Sequence, residues 1–122
     1  MIDHVILNVK ELELSRRFYE QALGPLGYKV LMAYPQGAGF GVERKPDFWV
    51  ALREPPHTKV HVAFHCARRK TVDEFYAAAI RAGGRDNGPP GLRPHYHKDY
   101  YGAFVFDPDG NNIEAVCHDP AG

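Results

Sequence analysis

Apolar and polar residues alternate at the start of the chain and again half-way along it. From Ile2 to Val9, the residues Val5, Leu7 and Val9 share one face of a two-residue period, while His4, Ile6 and Asn8 share the other; this predicts a strand with one oily and one mixed face. Val60 to Cys66 repeats the pattern, with Val62, Phe64 and Cys66 opposite His61, Ala63 and His65. Each strand leads into a helical period. Between about 12 and 23, Phe18, Tyr19, Ala22 and Leu23 lie at helical spacing until Gly24-Pro25 stops them. In the second half Val72, Phe75, Tyr76, Ala79 and Ile80 do so until Gly83-Gly84, and Thr71 with Glu74 predicts a capping box at the helix start. Shorter β-like runs follow, at about 28–33, 40–43 and 48–53, then about 84–87, 101–106 and 112–118. Asp107-Pro108-Asp109-Gly110 predicts the turn that folds the last two into a hairpin.

These two halves are copies. His4-Val5 returns as His61-Val62, Phe18-Tyr19 as Phe75-Tyr76, Ala22 as Ala79 and Gly27 as Gly84, every pair 57 residues apart. The chain therefore reads as one domain over residues 1–122 made of two modules, about 1–56 and about 57–122. Each runs strand, helix, three strands, which is an α+β architecture.

Composition narrows the function. With 15 Lys+Arg against 15 Asp+Glu the 122 residues carry no formal net charge, so nothing in the overall balance attracts nucleic acid or an anionic membrane. No apolar run approaches the about 18 residues that span a bilayer, and Asp3, His4, Asn8 and Lys10 interrupt anything resembling a signal peptide. The expectation is a soluble, cytoplasmic protein. Cys66 and Cys117 each close an apolar run outside any Cys-x-x-Cys pair, as buried free thiols do. The surplus is in histidine, seven in so short a chain.

Three residues on mixed strand faces form a candidate metal site. His4 and His61 occupy matching first strands, and Glu114 lies on the final strand; two imidazoles and a carboxylate make the facial ligand set that suits Fe(II) and related divalent ions. A competing reading makes each histidine an ordinary satisfied polar residue.

His4-Val5, Phe18-Tyr19, His61-Val62-Ala63-Phe64, Ala82-Gly83-Gly84 and Asp107-Pro108-Asp109-Gly110-Asn111-Asn112-Ile113-Glu114 together resemble the vicinal oxygen chelate superfamily, over nearly the whole chain. That group holds glyoxalase I, extradiol dioxygenases, fosfomycin-resistance proteins, methylmalonyl-CoA epimerase and bleomycin-resistance binding proteins. The resemblance implies paired βαβββ modules, a cup-shaped, mostly antiparallel sheet with helices outside, and a homodimer. It also implies one divalent ion (Fe, Mn, Ni, Zn or Co) on His4, His61 and Glu114, binding a small-molecule substrate through neighbouring oxygens. Such an ion acts as a Lewis acid toward an enolate or oxyanion, or, if iron, holds dioxygen beside a catecholate. The chemistry implied is that of a metal-dependent lyase, isomerase or dioxygenase.

Departures from the family pattern are informative. Glyoxalase I takes a further ligand from the last strand of the first module, where Phe48-Trp49-Val50-Ala51-Leu52 has no carboxylate or histidine, so glyoxalase I itself is disfavoured. The stretch from His97 to Glu114 resembles the extradiol dioxygenase signature, with His97 in the place of an outer histidine and Phe104 where a tyrosine is expected. Tyr100 or Tyr101 substitutes, and strand alternation lets only one of them face the cup.

The proline-rich segment from Asn87 to Tyr101 predicts a loop at the mouth of the cup. Arg93 there suits an anionic group of the substrate, and His97, Tyr100 and Tyr101 are candidate catalytic groups. His65 lies four residues beyond His61, roughly 13 Å along the strand, which makes it a substrate contact and no ligand. Trp49 and Phe104 are further substrate-lining candidates, with Phe40, Tyr96, Tyr101 and Phe106. That aromatic lining supports the alternative class, a metal-free protein that sequesters an aromatic or drug-like molecule in the manner of bleomycin-resistance proteins. His57 and His118 have no pattern around them and read as solvent histidines.

Overall fold

A computed structural model describes all 122 residues. Module one runs β1 (Val5–Val9), α1 (Leu12–Ala22), a short 3₁₀ turn (Gly24–Leu26), β2 (Lys29–Tyr34), β3 (Gly37–Gly41) and β4 (Phe48–Leu52). Module two runs β5 (His61–His65), α2 (Arg69–Arg81), β6 (Arg85–Leu92), β7 (Tyr101–Phe106) and β8 (Asn112–Cys117). Each module forms a four-stranded mixed sheet in the same spatial order, β1-β4-β3-β2 and β5-β8-β7-β6, with the outer pair parallel and the rest antiparallel. This is the paired βαβββ arrangement.

The oily strand faces turn toward the helices. Leu7, Val9, Phe18, Phe40, Phe48, Val50, Phe64, Phe75, Val105 and Ile113 belong to one buried core shared by both modules. Phe48 and Phe64 meet edge-to-face across the module boundary at 5.3 Å. Each such side chain fully buried is worth about 1.5–3 kcal/mol. The mixed faces, carrying Ile6 and Trp49 in one sheet and His61, Ala63 and Glu114 in the other, point away from the helices.

Two polar ties join the modules. The Tyr19 hydroxyl on α1 donates to Asp107 at 2.5 Å, and Asp107 also accepts from Asn111, whose side chain in turn donates to the His57 carbonyl. Burial, then the Asp107 carboxylate, pushes the Tyr19 phenol well above its ordinary range, so it remains a donor. At the free edge of β1 the Asn8 N–H donates to His57 Nδ1 at 2.7 Å and the His57 N–H donates to the Asn8 carbonyl at 2.9 Å. His57 is thus a structural residue of the joint and not the solvent histidine expected from its neighbours in sequence.

Elements differ from the sequence expectations in three places. α2 begins at Arg69 with no side-chain cap, so the Thr71–Glu74 box does not form; the Arg69 N–H donates instead to the Gly122 carbonyl, which satisfies the helix start from the other end of the chain. β6 extends to Leu92 through Pro89 and Pro90, which an edge strand with two register irregularities tolerates, leaving only residues 93–100 as the loop. β3 spans Gly37–Gly41, starting and ending before the expected run at about 40–43. Cys66 and Cys117 are free and buried, and burial pushes the Cys66 thiol up to about 11.

Candidate functional site

On the open face of the second sheet, β5 and β8 run parallel with Ala63 opposite Glu114, so His61 and Glu114 project from adjacent strands on the same side. His61 Nε2 donates to Glu114 Oε1 at 2.8 Å. The second carboxylate oxygen accepts from the Tyr100 hydroxyl. Glu114 is 1% exposed, a buried carboxylate whose partners are one imidazole and one phenol. Burial and then the Glu114 hydrogen bond push the Tyr100 phenol far above its usual range, which keeps it a donor to that carboxylate. Gly102 makes this packing possible, since a Cβ there would stand 3.2 Å from the Tyr100 ring and 3.3 Å from Glu114 Oε2.

Tyr101 lies on the opposite face. Its hydroxyl donates to Asp73 on α2 at 2.6 Å, Arg69 covers its ring, and burial with that bond pushes the phenol up to about 12. Of the two tyrosines it is Tyr100 that meets the site residues. His97 stands beside Tyr100 with ring centroids 5.6 Å apart. Its Nδ1 accepts from the Asp99 N–H, so Nε2 carries the proton and donates to His118 Nδ1 at 2.7 Å. His65 stacks on His118 at 6.2 Å, which gathers three histidines at one end of the sheet. His118, expected only as a solvent histidine, is exposed but joins this group; the signal that would have placed it here is that it continues the two-residue period of Glu114 and Val116 past the strand end. The Phe104 ring lies 6.2 Å from His61, and the Arg93 guanidinium sits 5.4 Å above the same ring.

His4 is not with them. It bonds through Nδ1 to Asp3 at 2.7 Å, Asp3 in turn pairs with Lys45, and this group borders a groove of about 450 Å³ lined by Met32, Trp49 and Arg53. Trp49 stacks with Tyr34 at 6.3 Å and 10° over the small residues of β3. Tyr34, a residue the sequence does not single out, thus completes an aromatic shelf. Phe40, expected in the lining, is wholly buried in the core, and Phe106 carries Arg85 over its ring.

A family model described as the glyoxalase/bleomycin resistance protein/dioxygenase superfamily matches residues 1–115. The chain belongs to this superfamily. Among its relatives is the uncharacterized protein YqjT of Bacillus subtilis, 31% identical over 93% of this chain and 96% of that one. A solved glyoxalase/bleomycin resistance protein from Albidiferax ferrireducens is 30% identical over 95% of this chain and 97% of its own, with a TM-score of 0.82. A lactoylglutathione lyase from Agrobacterium tumefaciens, 18% identical over 96% of this chain and 92% of its own at a TM-score of 0.71, shares the fold.

The superfamily's use of divalent metals can be tested on this donor set. Within one chain no three His, Cys, Asp or Glu side chains converge for an ion. His61 and Glu114 form an imidazole–carboxylate pair of the type divalent ions take, with Tyr100 orienting the carboxylate as an outer partner does. The residues fit half of a metal site. No helix is long and apolar enough to cross a membrane.

Proposed function

We propose that this superfamily member is a cytoplasmic metalloenzyme that binds a small molecule through two neighbouring oxygens at one divalent ion, held by His61, Glu114 and His4 of the partner subunit in a homodimer. The buried Glu114 carboxylate, hydrogen-bonded to His61 on an open sheet face, carries this reading: a buried carboxylate whose two partners, an imidazole and a phenol, need carry no positive charge is stabilised by a cation. His4 stands at the equivalent position of the other module, on an equally open face, so apposing module one of one chain with module two of another closes a cup and supplies the third ligand. The free buried thiols support the cytoplasmic setting.

When bound, a divalent ion supplies Lewis acidity that stabilises negative charge on substrate oxygens. The chain does the rest. Tyr100 fixes Glu114 and does not titrate near neutrality. His97 moves the proton, because its Nε2 shares one with His118 over 2.7 Å and His118 is exposed to water. Phe104 excludes water beside His61, His65 contacts the substrate's far end, and the partner's Trp49 stacks on its flat part.

The test is metal titration of untagged protein against His4→Ala, His61→Ala and a mixture of the two. Each variant alone loses tight binding, and the mixture regains one site per mixed dimer. Equal affinity in His61→Ala and wild type overturns the metal reading; loss in both variants without recovery on mixing overturns the shared site. The Tyr34–Trp49 stack favours a second reading, metal-free retention of an aromatic or drug-like molecule. Under it, ligand quenches Trp49 fluorescence equally with and without chelator, and chelator-sensitive quenching rejects it.

A further inference from the structure

Beside the His61–Glu114 pair lies a second pocket of about 260 Å³, bordered by Asn87, Gly88, Arg93, His95, Phe104 and Asn112. Arg93 has no carboxylate within salt-bridge distance. Its guanidinium is nonetheless held in place. Nη2 donates to the Pro89 carbonyl at 2.7 Å, the plane rests on Phe104, and the backbone N–H at Arg93 donates to the Tyr100 carbonyl at 2.7 Å. Two glycines of β6 make room for it: a Cβ at Gly88 (φ +147°) would come within 3.2 Å of Nη2, and one at Gly91 within 3.1 Å of Nη1. An arginine fixed by backbone, ring and two glycines, with most of its donors unused, is built to receive something.

Asn112 indicates what else the ligand carries. It lies two residues before Glu114 on the same face of β8, and its side-chain Oδ1 is buried without a hydrogen-bond partner. A buried acceptor left unpaired is costly, so a ligand that donates to it as the side chain turns into the pocket is favoured. A carboxylate satisfies Arg93 in the planar two-pronged fashion that guanidinium prefers. It cannot donate to Asn112, so the ligand needs an O–H or N–H next to its carboxylate. Arg93 is the one fixed cation bordering this pocket, which matches one negative charge better than a phosphate dianion.

We propose that the Arg93–Asn112 pocket is a carboxylate subsite and that the substrate is a small organic acid bearing a hydroxyl or amide N–H beside its acid group. The inference deepens the proposed function in that it rests on this face being the substrate face; it does not depend on the metal. Phe104, shared between His61 and Arg93, places the subsite next to the reacting end.

Calorimetric titration in the presence of chelator tests it, with mandelate, methyl mandelate and phenylacetate as probes. Mandelate binds, the ester binds at least about tenfold more weakly, and Arg93→Gln removes that difference while Arg93→Lys retains part of it. Phenylacetate, lacking the hydroxyl, binds several-fold more weakly than mandelate to the wild type and equally to Asn112→Ala. Equal affinity for acid and ester in the wild type, or no binding of either, overturns the proposal without any variant having to fold. Binding of mandelate only after metal is restored assigns the carboxylate to the ion and also overturns it. Chelator-resistant mandelate binding together with wild-type metal affinity in His61→Ala leaves the subsite standing and removes the metal reading.

Discussion

Trp49 and Glu114 occupy the same place in two copies of one fold. Trp49 pairs with Ile6 across parallel strands in module one, Glu114 pairs with Ala63 in module two, and Ile6 and Ala63 stand one repeat apart. Their neighbours are exchanged in the opposite sense. Gly39 lies beside Trp49, where a Cβ would come within 2.9 Å of the indole, and Phe104 lies beside Glu114. Where the sheet carries a flat indole its neighbour shrinks to hydrogen; where it carries a carboxylate its neighbour is a phenyl ring that helps exclude water. Duplication supplied two similar open faces, and side-chain volume turned one into an aromatic shelf and the other into a desolvated anion.

The strongest way to break this comparison is to remove the charge on one side and the shelf on the other. Glu114→Gln lowers divalent-metal affinity by more than about 100-fold, beyond what loss of an outer-shell partner costs, whereas Trp49→Phe leaves it unchanged. Competition against a fluorescent chelator reads both. Equal losses would mean that the two faces do not divide the work.

Next in size is the joint that sets one module against the other. Tyr19→Phe keeps the ring and removes the donor to buried Asp107, leaving a carboxylate short of a partner; a loss of about 2 kcal/mol in urea unfolding is expected, since hydrogen bonds to charged groups are worth about 1.5–3 kcal/mol. A loss below about 0.5 kcal/mol would show that the modules are held by their shared apolar core alone.

A smaller effect separates orientation from ligation within module two. Tyr100→Phe removes the hydroxyl on Glu114 Oε2 and retains the three proposed ligands, so metal affinity is expected to fall about tenfold, the lower end for an outer partner. A drop as large as that of Glu114→Gln would make Tyr100 indispensable to the site in its own right.

Much of this was legible before any coordinates. The alternation of Val5, Leu7 and Val9 and of Val62, Phe64 and Cys66 assigned the core faces, and the constant offset of His4 and His61 exposed the duplication. What the chain does not spell out is placement across strands. Nothing local to His57 says that it will cap the edge of β1, because its partner is 49 residues away. Gly37 to Gly39 lie outside the strand expected at about 40–43, since the indole that occupies the space above Gly39 belongs to another strand. Pro89 and Pro90 argue against a strand until β6 is known to be at an edge, where missing donors face no partner. The equivalence of His4 and His61 was likewise legible, yet equivalence within a repeat does not bring two residues together in one chain.

The smallest expected effect lies in the turn that presents module two to module one. Asp109 sits beside Asp107 with its Oδ2 buried and unpartnered, and burial, then the charge of Asp107, holds its carboxyl above the ordinary aspartate value. An acid whose folded-state pKa is raised favours the folded state most when protonated, and that contribution is lost as pH rises through the folded pKa. At neutral pH the ionised side chain is therefore a net cost. Asp109→Asn removes it and stabilises the protein by less than about 1 kcal/mol at pH 7, since the residue is only partly buried. The gain shrinks as the pH falls toward the unfolded value of 3.8 and disappears below it. Urea midpoints of both proteins at pH 7 and pH 3.5 check the sign: a gain confined to pH 7 places the penalty in the charge, and a gain that persists at pH 3.5 places it in the packing of the turn.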